Sequence, residues 1–279
     1  MYSSQDDASD VGHQGVHSTR RSPVGLLELT GLTVQYGGLR AVDEVSLHIP
    51  EGAFVGLIGP NGAGKTTLID AISGLAPASG SVRFNGRDIG GLPPHKRARA
   101  GLARTFQSIE LFDDLTIREN LLVAAERSSW WSMVQALGWP TPSSEANRRV
   151  EQALDCLGIA DLAGHMPNSV SLGQRKLVTV ARALAADPKM VLLDEPGAGL
   201  DSTESLELGR QLCRLTADGR TVLLVDHDMG LVLSVCDYIY VLEFGQIIAQ
   251  GAPASVLQDP RVVKAYLGSE APMQTEAVQ

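Results

Sequence analysis

The sequence has few cysteines and no paired pattern among them. Its three cysteines, Cys156, Cys213 and Cys236, are widely spaced, and none lies in a CxxC motif. An odd number of cysteines at irregular spacing excludes the disulfide framework that stabilises many small secreted proteins. We therefore expect buried or unreactive thiols in a reducing compartment.

Long apolar runs and a secretory leader are also missing. No stretch approaches the about 18 consecutive apolar residues of a membrane-spanning helix. The start of the chain, MYSSQDDASD, has neither the basic region nor the apolar region of a signal peptide. The sequence thus predicts a cytoplasmic chain that is not inserted into a membrane by itself, although partner proteins can hold it against one.

Basic residues are outnumbered by acidic ones. The chain of 279 residues has 23 Lys and Arg against 32 Asp and Glu, which gives a net charge of −9. A broad basic face of the kind that binds nucleic acid is therefore excluded, and no nucleic-acid partner is expected. With 44% hydrophobic and 20% charged residues, the composition is that of a globular protein with a substantial core and one or two domains.

The chain divides into one central domain and two polar tails. Residues 1–22 are rich in Ser, Asp and His and are predicted to be disordered, and residues 269–279 form a second polar tail. Within the domain, residues 23–268, short apolar strands open the chain and later strands alternate with helices, which predicts an antiparallel layer and a parallel α/β core. Helical patterning over about 108–186 predicts a separate helical subdomain. No internal repeat is found, so a single copy of this domain is expected.

A glycine-rich segment, GPNGAGKTT, lies between an apolar strand pattern and an apolar helix pattern. Glycines allow a tight loop whose N–H groups turn inward on phosphates, and the following helix adds its positive dipole end. Lys65 is expected to contact the β- and γ-phosphates of a nucleotide, and the Thr66 hydroxyl to bind Mg²⁺. The flanking strand and helix argue against a chance glycine-rich turn. The candidate nucleotide-binding residues are Gly59, Pro60, Asn61, Gly62, Ala63, Gly64, Lys65, Thr66 and Thr67.

The segment MVLLDE at 190–195 predicts a buried strand that ends in two carboxylates. Ligands of open α/β sheets bind at the carboxyl ends of the strands, which is where Asp194 lies. Asp194 is expected to bind Mg²⁺ through water, and Glu195 to polarise the attacking water as a general base. An apolar run that ends in Asp-Glu is common. It indicates a metal ligand and a general base only when a phosphate loop precedes it in the same domain.

The segment NSVSLGQRKLVTVARALAADPKMVLLDEP resembles the signature helix and Walker B segment of ABC ATPases, whose usual signature is LSGGQ. Here the signature is VSLGQ, with Leu172 in place of the first glycine. The resemblance covers residues 26–268 and includes the family's motifs in order. It implies the P-loop ABC ATPase fold, an α/β core with an antiparallel β layer and a helical subdomain. It also implies hydrolysis of ATP with Mg²⁺.

Ser171, Gly173 and Gln174 have two compatible interpretations. Ser-x-x-Gln before a periodic apolar helix is a capping box, in which the two side chains satisfy backbone N–H groups. The resemblance implies in addition that this helix start, with its positive dipole end, faces the γ-phosphate of ATP bound to a second subunit. We expect both.

The resemblance assigns roles to four further residues. Gln107, in ARTFQ, is similar to the Q-loop glutamine, which contacts Mg²⁺ and links the helical subdomain to the site. His227, in TVLLVDH, is similar to the switch histidine that contacts the γ-phosphate, and Asp201, in AGLDS, to the D-loop aspartate at the dimer interface. Tyr36 is expected to stack on adenine. The alternative for Tyr36 is packing on the edge of the sheet.

Partner subunits follow from the same resemblance. The phosphate loop and the signature helix of one chain face different subunits in this family, so a second ATPase subunit is implied, as a homodimer or a heterodimer. Membrane-spanning permease subunits and, indirectly, a substrate-binding receptor are also implied, with the chain on the inner face of the cell membrane. The expected catalytic residues are Lys65, Gln107, Glu195 and His227, and the expected metal ligands are Thr66, Gln107 and Asp194.

The three tryptophans, Trp130, Trp131 and Trp139, lie within ten residues of one another. They form either the core of the helical subdomain or a docking surface for the permease, since exposed aromatic residues cluster at interfaces. Both alternatives stay open at this point.

Several segments resemble the ATPase of branched-chain amino acid importers, namely TFQSIELFDDLTIRENLLVAA, LLVDHDMGLV and the ending VVKAYLG. The implied cargo is a branched-chain or other hydrophobic amino acid, or a related amide. The ATPase of lipopolysaccharide export is the alternative, although it usually keeps glycine where Leu172 stands. A soluble ABC ATPase acting on DNA or ribosomes would have two nucleotide units or a long coiled-coil or basic insertion. A P-loop kinase or GTPase would have no use for SLGQ.

Overall fold

Two β sheets with flanking helices form the structure. The computed structural model describes residues 25–126 and 143–267. Its strands are β1 (Gly25–Tyr36), β2 (Leu39–Pro50), β3 (Phe54–Ile58), β4 (Ser79–Phe84), β5 (Arg87–Asp88), β6 (Leu102–Arg104), β7 (Met190–Asp194), β8 (Thr221–Val225), β9 (Tyr238–Glu243) and β10 (Gln246–Gly251). Its α-helices are α1 (Lys65–Ser73), α2 (Pro94–Arg99), α3 (Ile117–Ala125), α4 (Ser144–Leu157), α5 (Leu172–Ala185), α6 (Ser202–Leu212), α7 (Arg214–Ala217), α8 (Met229–Val235), α9 (Pro253–Leu257) and α10 (Pro260–Leu267).

The first sheet is antiparallel, with the strand order β2-β1-β4-β5. The long hairpin of β1 and β2 pairs Leu27 with Ile49 and Leu29 with Leu47, so alternate apolar residues face the same side. The alternation of buried and exposed residues along β1 and β2 matches a sheet with one face on the core. The antiparallel layer predicted from the opening strands is confirmed.

The second sheet has the order β10-β9-β3-β8-β7-β6, and its strands are parallel except for β10. Every residue of β3, β7 and β8 is buried, which explains why these strands read as continuous apolar runs. The register pairs Leu57 and Asp194 with Val225, so these three strands end at one edge of the sheet. The predicted parallel core is confirmed.

Successive residues of the parallel strands face two separate hydrophobic clusters. Val55 and Leu57 of β3 pack with the antiparallel sheet and α1. Phe54 and Ile58 of the same strand belong to the cluster that contains α3, α4 and α5. The sheet is therefore covered on both faces, as parallel sheets require.

Outside the undescribed residues 127–142, three α-helices lie within the segment predicted to be helical. Helix α3 begins with a capping box between Thr116 and Glu119, and α4 begins at the capping residue Ser143. Within residues 25–126 and 143–267, no helix combines the length and apolar character needed to span a membrane. The predicted tails and the tryptophans at 130, 131 and 139 lie outside the described residues. The predicted domain boundaries stay predictions.

A buried arginine caps the C-terminal end of α1, the helix that follows the phosphate loop. The guanidinium of Arg97 donates hydrogen bonds to the carbonyl oxygens of Ala71 and Ile72 at 2.7 and 2.8 Å. It also donates to those of Leu92 and Gly90 at 2.9 and 2.6 Å. The last carbonyls of a helix have no partner within the helix, so Arg97 satisfies them from α2 and fixes the far end of α1.

Replacement of this arginine is expected to destabilise the chain. Arg97→Met should lower the free energy of unfolding by about 2–4 kcal/mol, because two buried carbonyl groups, of Ala71 and Ile72, and two partly buried ones lose a charged donor. Urea denaturation followed by circular dichroism measures the change. Arg99→Met is the matched control, since Arg99 is exposed on the same helix. Equal unfolding midpoints for the two variants would contradict this role of Arg97.

Candidate functional site

The candidate site lies at the edge where the parallel strands end. The phosphate loop follows β3, and Glu195 follows the last residue of β7. Asp226 and His227 follow β8, and Gln107 lies three residues beyond β6. Strand order and register therefore bring together loops that are distant in the sequence, as expected for ligand sites of open α/β sheets.

The phosphate loop has a conformation that only glycine accommodates at two positions. Gly59 and Gly64 have φ angles of 153° and 103°. A Cβ atom on Gly59 would lie 2.0 Å from the carbonyl oxygen of Leu242, and one on Gly64 would lie 2.3 Å from that of Ala41. Both obstacles are backbone atoms that cannot rotate away, so the glycines are required by close packing of the loop against β2 and β9.

Lys65 is folded onto the loop that it follows. Its Nζ donates hydrogen bonds to the carbonyl oxygens of Gly59 and Pro60, at 2.7 and 3.0 Å. Burial lowers the pKa of Lys65, whereas the nearby carboxylates of Glu195, Asp226 and Asp194 act in the opposite direction. The ammonium group is thus fixed at the start of α1, where the helix dipole also favours an anion.

Asp194 and Glu195 differ in their surroundings. Asp194 is buried at the end of β7, and burial raises the pKa of its carboxyl group, although Arg104 counteracts this effect. Glu195 has a left-handed backbone with φ of 47°, and its N–H donates to the carbonyl oxygen of Val225 at 2.7 Å. A non-glycine residue rarely adopts this conformation, and such strain is concentrated at functional sites.

Gln107, Glu195 and His227 converge on one another. The amide Nε2 of Gln107 donates a hydrogen bond to Oε2 of Glu195 at 2.9 Å. The imidazole Nδ1 of His227 lies 3.9 Å from the same oxygen, and 57% of the histidine side chain is exposed. Gln107, predicted to contact Mg²⁺, and His227, predicted to contact the γ-phosphate, therefore both lie beside the carboxylate of Glu195, which is 19% exposed.

The oxygen groups near the loop fit Mg²⁺ bound to a nucleotide. Hydroxyl, carboxylate and amide oxygens, which Thr66, Asp194 and Gln107 provide, are the ligand types that Mg²⁺ prefers. Among residues 25–126 and 143–267, no group of three His, Cys, Asp or Glu side chains is arranged to hold a metal ion. A cation at this position would therefore need phosphate or water oxygens, which agrees with the usual binding of Mg²⁺ to nucleotides.

The signature residues form an exposed helix start. Ser171 Oγ accepts a hydrogen bond from the N–H of Gln174, and Gln174 Oε1 accepts one from the N–H of Ser171, so the predicted capping box is present. Asp201 forms a second capping box at the start of α6. Gly173 lies close to Leu200, which places the signature beside the D-loop on one surface. Ser171 and Leu172 are exposed, whereas Gly173 and Gln174 are half-buried.

Tyr36 ends β1, and 51% of the residue is exposed. Its neighbour Gln35 donates a side-chain hydrogen bond to the carbonyl oxygen of Gly37 at 2.7 Å, which tightens the turn between β1 and β2. Strand β2, which follows this turn, packs against the phosphate loop at Ala41. The exposure of Tyr36 leaves its ring available for stacking on adenine, and that role stays a prediction.

Sequence reasoning missed two charged residues of the site. Asp226 is fully buried, and its carboxylate accepts hydrogen bonds from the N–H groups of Gly197, His227 and Asp228 at 2.9, 2.8 and 3.0 Å. It thereby fixes the segment after Glu195 relative to the switch histidine. The sequence does contain a signal for Asp226, because TVLLVD is an apolar run that ends in Asp, like the MVLLD run that ends in Asp194. Arg104, a buried cation, had no such signal.

Family comparisons agree with this geometry. A family model described as ABC transporter matches residues 42–198. The chain belongs to the ABC transporter family. It is an ABC-type ATPase subunit, and a second model, described as branched-chain amino acid ATP-binding cassette transporter, matches residues 246–272.

Among the relatives of this ABC subunit is the high-affinity branched-chain amino acid transport ATP-binding protein BraF of Pseudomonas aeruginosa. The two are 40% identical over 250 residues, which cover 87% of this chain and 98% of BraF. The lipopolysaccharide export system ATP-binding protein LptB of Escherichia coli is 37% identical over 245 residues, covering 88% of this chain and 98% of LptB.

Solved structures of ABC cassettes have the same fold. The ADP conformation of MJ1267, an ATP-binding cassette of an ABC transporter, matches with a TM-score of 0.78 and 33% identity, covering 88% of this chain and 99% of that one. The dimeric structure of MJ0796, a bacterial ABC transporter cassette, matches with a TM-score of 0.66 and 27% identity, covering 81% and 98%.

Gly59→Ala is expected to disrupt the phosphate loop of this ABC subunit. The added methyl group collides with the carbonyl oxygen of Leu242, and overpacking of this kind costs about 1–3 kcal/mol. Because the nucleotide needs the native loop, its affinity should fall about tenfold or more. Calorimetric titration with ATP measures the loss. Gly91→Ala is the control, since a Cβ there meets nothing within 4 Å; similar affinities for both variants would refute the packing argument.

Proposed function

We propose that this chain is the ATP-hydrolysing subunit of a membrane importer for branched-chain or other hydrophobic amino acids. The observation that carries the cargo class is the match of residues 246–272 to the branched-chain amino acid cassette model, in a chain that also resembles BraF over 87% of its length. Lipopolysaccharide export is the second candidate, supported by the 37% identity with LptB. The match to the branched-chain cassette model favours amino acid import over lipopolysaccharide export.

The proposed chemistry is attack of water on the γ-phosphate of ATP. The backbone N–H groups of residues 59–67, except Pro60, would surround the phosphates, and Lys65 gives a positive charge at the helix start. Bound Mg²⁺, held by Thr66, Gln107 and Asp194, would neutralise charge on the phosphates. Glu195 polarises the attacking water, and the exposed His227 beside it contacts the γ-phosphate.

The hydrogen bond between Gln107 and Glu195 is a resting arrangement in this proposal. A carboxylate oxygen that accepts from an amide at 2.9 Å is less available to water. If the amide oxygen of Gln107 served as a ligand of bound Mg²⁺, the carboxylate of Glu195 would be free to act as base. The segment that carries Gln107 can therefore switch the site between two states.

A second ATPase subunit completes the site in this proposal. Ser171 and Gly173 lie at an exposed helix start, which presents free N–H groups and a positive dipole end to an anion. Asp201 lies on the same surface, next to the loop that contacts Gly173. The dimeric cassette structure of MJ0796, similar to this chain with a TM-score of 0.66, supports a paired assembly.

A permease is proposed to dock in a groove between α2, β6, α3 and α5. The groove has a volume of about 410 Å³, and mostly small or apolar residues line it, including Leu75, Ala98, Phe106 and Ala183. The rings of Phe106 and Phe112 are about half exposed. Phe106 and Ser108 flank Gln107, so an occupant of the groove would contact the segment that bonds to Glu195. A membrane subunit that moves during transport fits this position.

Glu195→Gln is expected to separate binding from hydrolysis. The substituted amide keeps the shape of the side chain but cannot accept a proton from water, so the turnover number should fall about 10²–10⁴-fold. ATP affinity should change by less than about twofold, because the phosphate contacts remain. Phosphate release and ATP titration measure the two quantities. Glu207→Gln, on the exposed face of α6, is the control. Wild-type hydrolysis by Glu195→Gln would exclude Glu195 as the base.

The same variant tests the second subunit. With hydrolysis blocked, ATP should drive Glu195→Gln into a dimer that elutes earlier in size-exclusion chromatography. Addition of Ser171→Arg should prevent that dimer while each monomer still binds ATP, because loss of a helix cap costs only about 1 kcal/mol. A dimer that forms equally well with Ser171→Arg would refute the proposed role of the signature helix.

The cargo and the groove can be tested together in cells that lack this chain. Wild-type protein should restore uptake of labelled leucine, and Ala98→Glu should reduce it at least about tenfold, because an unpaired charge buried under the permease costs ~1.4 kcal/mol or more. Ala217→Glu, on exposed α7, is the control. Restored lipopolysaccharide export without leucine uptake would favour the second candidate instead. Full uptake with Ala98→Glu would exclude the groove as the docking site.

A further inference from the structure

Arg104 is a buried cation that joins two acidic residues from different elements. It is the last residue of β6, and its side chain is only 8% exposed. Nη1 lies 2.5 Å from Oδ1 of Asp70, and Nη2 lies 2.9 Å from Oδ2 of Asp194. The two bonds span 34 and 90 residues of sequence, so the guanidinium is a cross-link within the core of the site.

Asp70 and Asp194 lie on two of the segments that carry the expected magnesium ligands. Asp70 lies on α1, one turn of helix after Thr66, the residue expected to bind the metal through its hydroxyl. Asp194 is the expected carboxylate ligand of the same metal, on β7. Arg104 itself lies three residues before Gln107, the third expected ligand. One guanidinium therefore fixes the relative positions of all three segments.

The guanidinium of Arg104 is oriented toward its two carboxylate partners and not toward a partner for its Nε–H. The ring of Phe106 lies under the guanidinium, 5.1 Å from the centroid to Cζ, and restricts its plane. Among the described residues, the buried Nε–H of Arg104 has no hydrogen-bond partner. An unsatisfied buried donor is unfavourable, so the position of the group is set by its two terminal nitrogens and their acidic partners.

We propose that Arg104 is a positioning residue for the nucleotide-bound magnesium, because it holds Asp194 in a fixed orientation relative to the phosphate-loop helix. Arg104 engages Oδ2 of Asp194, which restricts rotation of the carboxylate and so fixes the direction of both oxygens. This inference rests on the proposed function, in which Asp194 is a metal ligand. A planar fork with two parallel donors can bridge two carboxylates, whereas the single ammonium of a lysine cannot reproduce this geometry.

The test compares nucleotide binding by the full chain with and without magnesium. Binding of a fluorescent ATP analogue is measured in EDTA and then during titration with MgCl₂. Arg104→Lys should raise the half-maximal Mg²⁺ concentration about tenfold or more, because partners that orient metal ligands affect metal affinity by about 10–100-fold. Affinity in EDTA should stay within about twofold of wild type, since the phosphate loop itself is unchanged.

Asp70→Asn is the second variant, and it leaves Asp194 in place with its bond to Arg104. It should shift the Mg²⁺ midpoint in the same direction by a smaller factor, because only one arm of the cross-link is weakened. If Arg104→Lys does not fold, as judged by thermal unfolding without nucleotide, Asp70→Asn decides the question. A wild-type midpoint in the folded variants, or parallel losses of affinity in EDTA and in Mg²⁺, would overturn the proposal.

Asp194→Asn separates this inference from the proposed function. If Asp194→Asn keeps the wild-type dependence on Mg²⁺, the magnesium assignment itself is wrong. If Asp194→Asn loses that dependence while Arg104→Lys keeps it, the metal assignment stands and only the positioning role of Arg104 fails.

Discussion

The convergence of buried charges at one edge of the parallel sheet is the constraint on which the site depends. Strands β3, β7 and β8 are completely buried, so any polar group at their ends must find a partner inside the protein. Asp194 is paired with Arg104, Asp226 accepts three backbone N–H groups, and Lys65 donates to loop carbonyls. Each charge is thus held in place before a nucleotide arrives. Such preorganisation means that little rearrangement of these groups is needed during phosphoryl transfer.

The same constraint separates the fixed part of the site from the part that can move. Lys65, Asp194 and Asp226 are buried and have partners on rigid strands or on the phosphate loop. Gln107 and His227 are exposed and meet only at the accessible carboxylate of Glu195. Two of the proposed contacts to phosphate and metal, Lys65 and Asp194, are therefore buried and held in place, whereas two others, Gln107 and His227, lie on exposed loops. A catalytic cycle that switches between binding and hydrolysis needs this division, since loops change conformation at lower cost than buried strands.

Local patterns in the sequence predicted the parts of the structure that local physics determines. The phosphate loop, the MVLLDE strand and the Ser171 capping box each depend on residues a few positions apart, and all three are present. Strand β6 was missed because three residues carry no periodic signal, and β10 because its run is short and mixed in polarity. Arg104 was missed for a different reason. Its partners lie 34 and 90 residues away, so only the folded sheet brings them within reach.

The position of Arg104 also bears on how movement outside the site could affect chemistry within it. Arg104, Phe106 and Gln107 follow one another at the end of β6, and the first two line the groove proposed for the permease. The Phe106 ring lies under the guanidinium, which bonds to Asp194, while the Gln107 amide bonds to Glu195. Displacement of this short segment would therefore act at the same time on Asp194, the proposed metal ligand, and on Glu195, the proposed general base. Coupling by direct contact of this kind needs no long chain of intermediates, because the groove and the catalytic carboxylates are separated by a single layer of side chains.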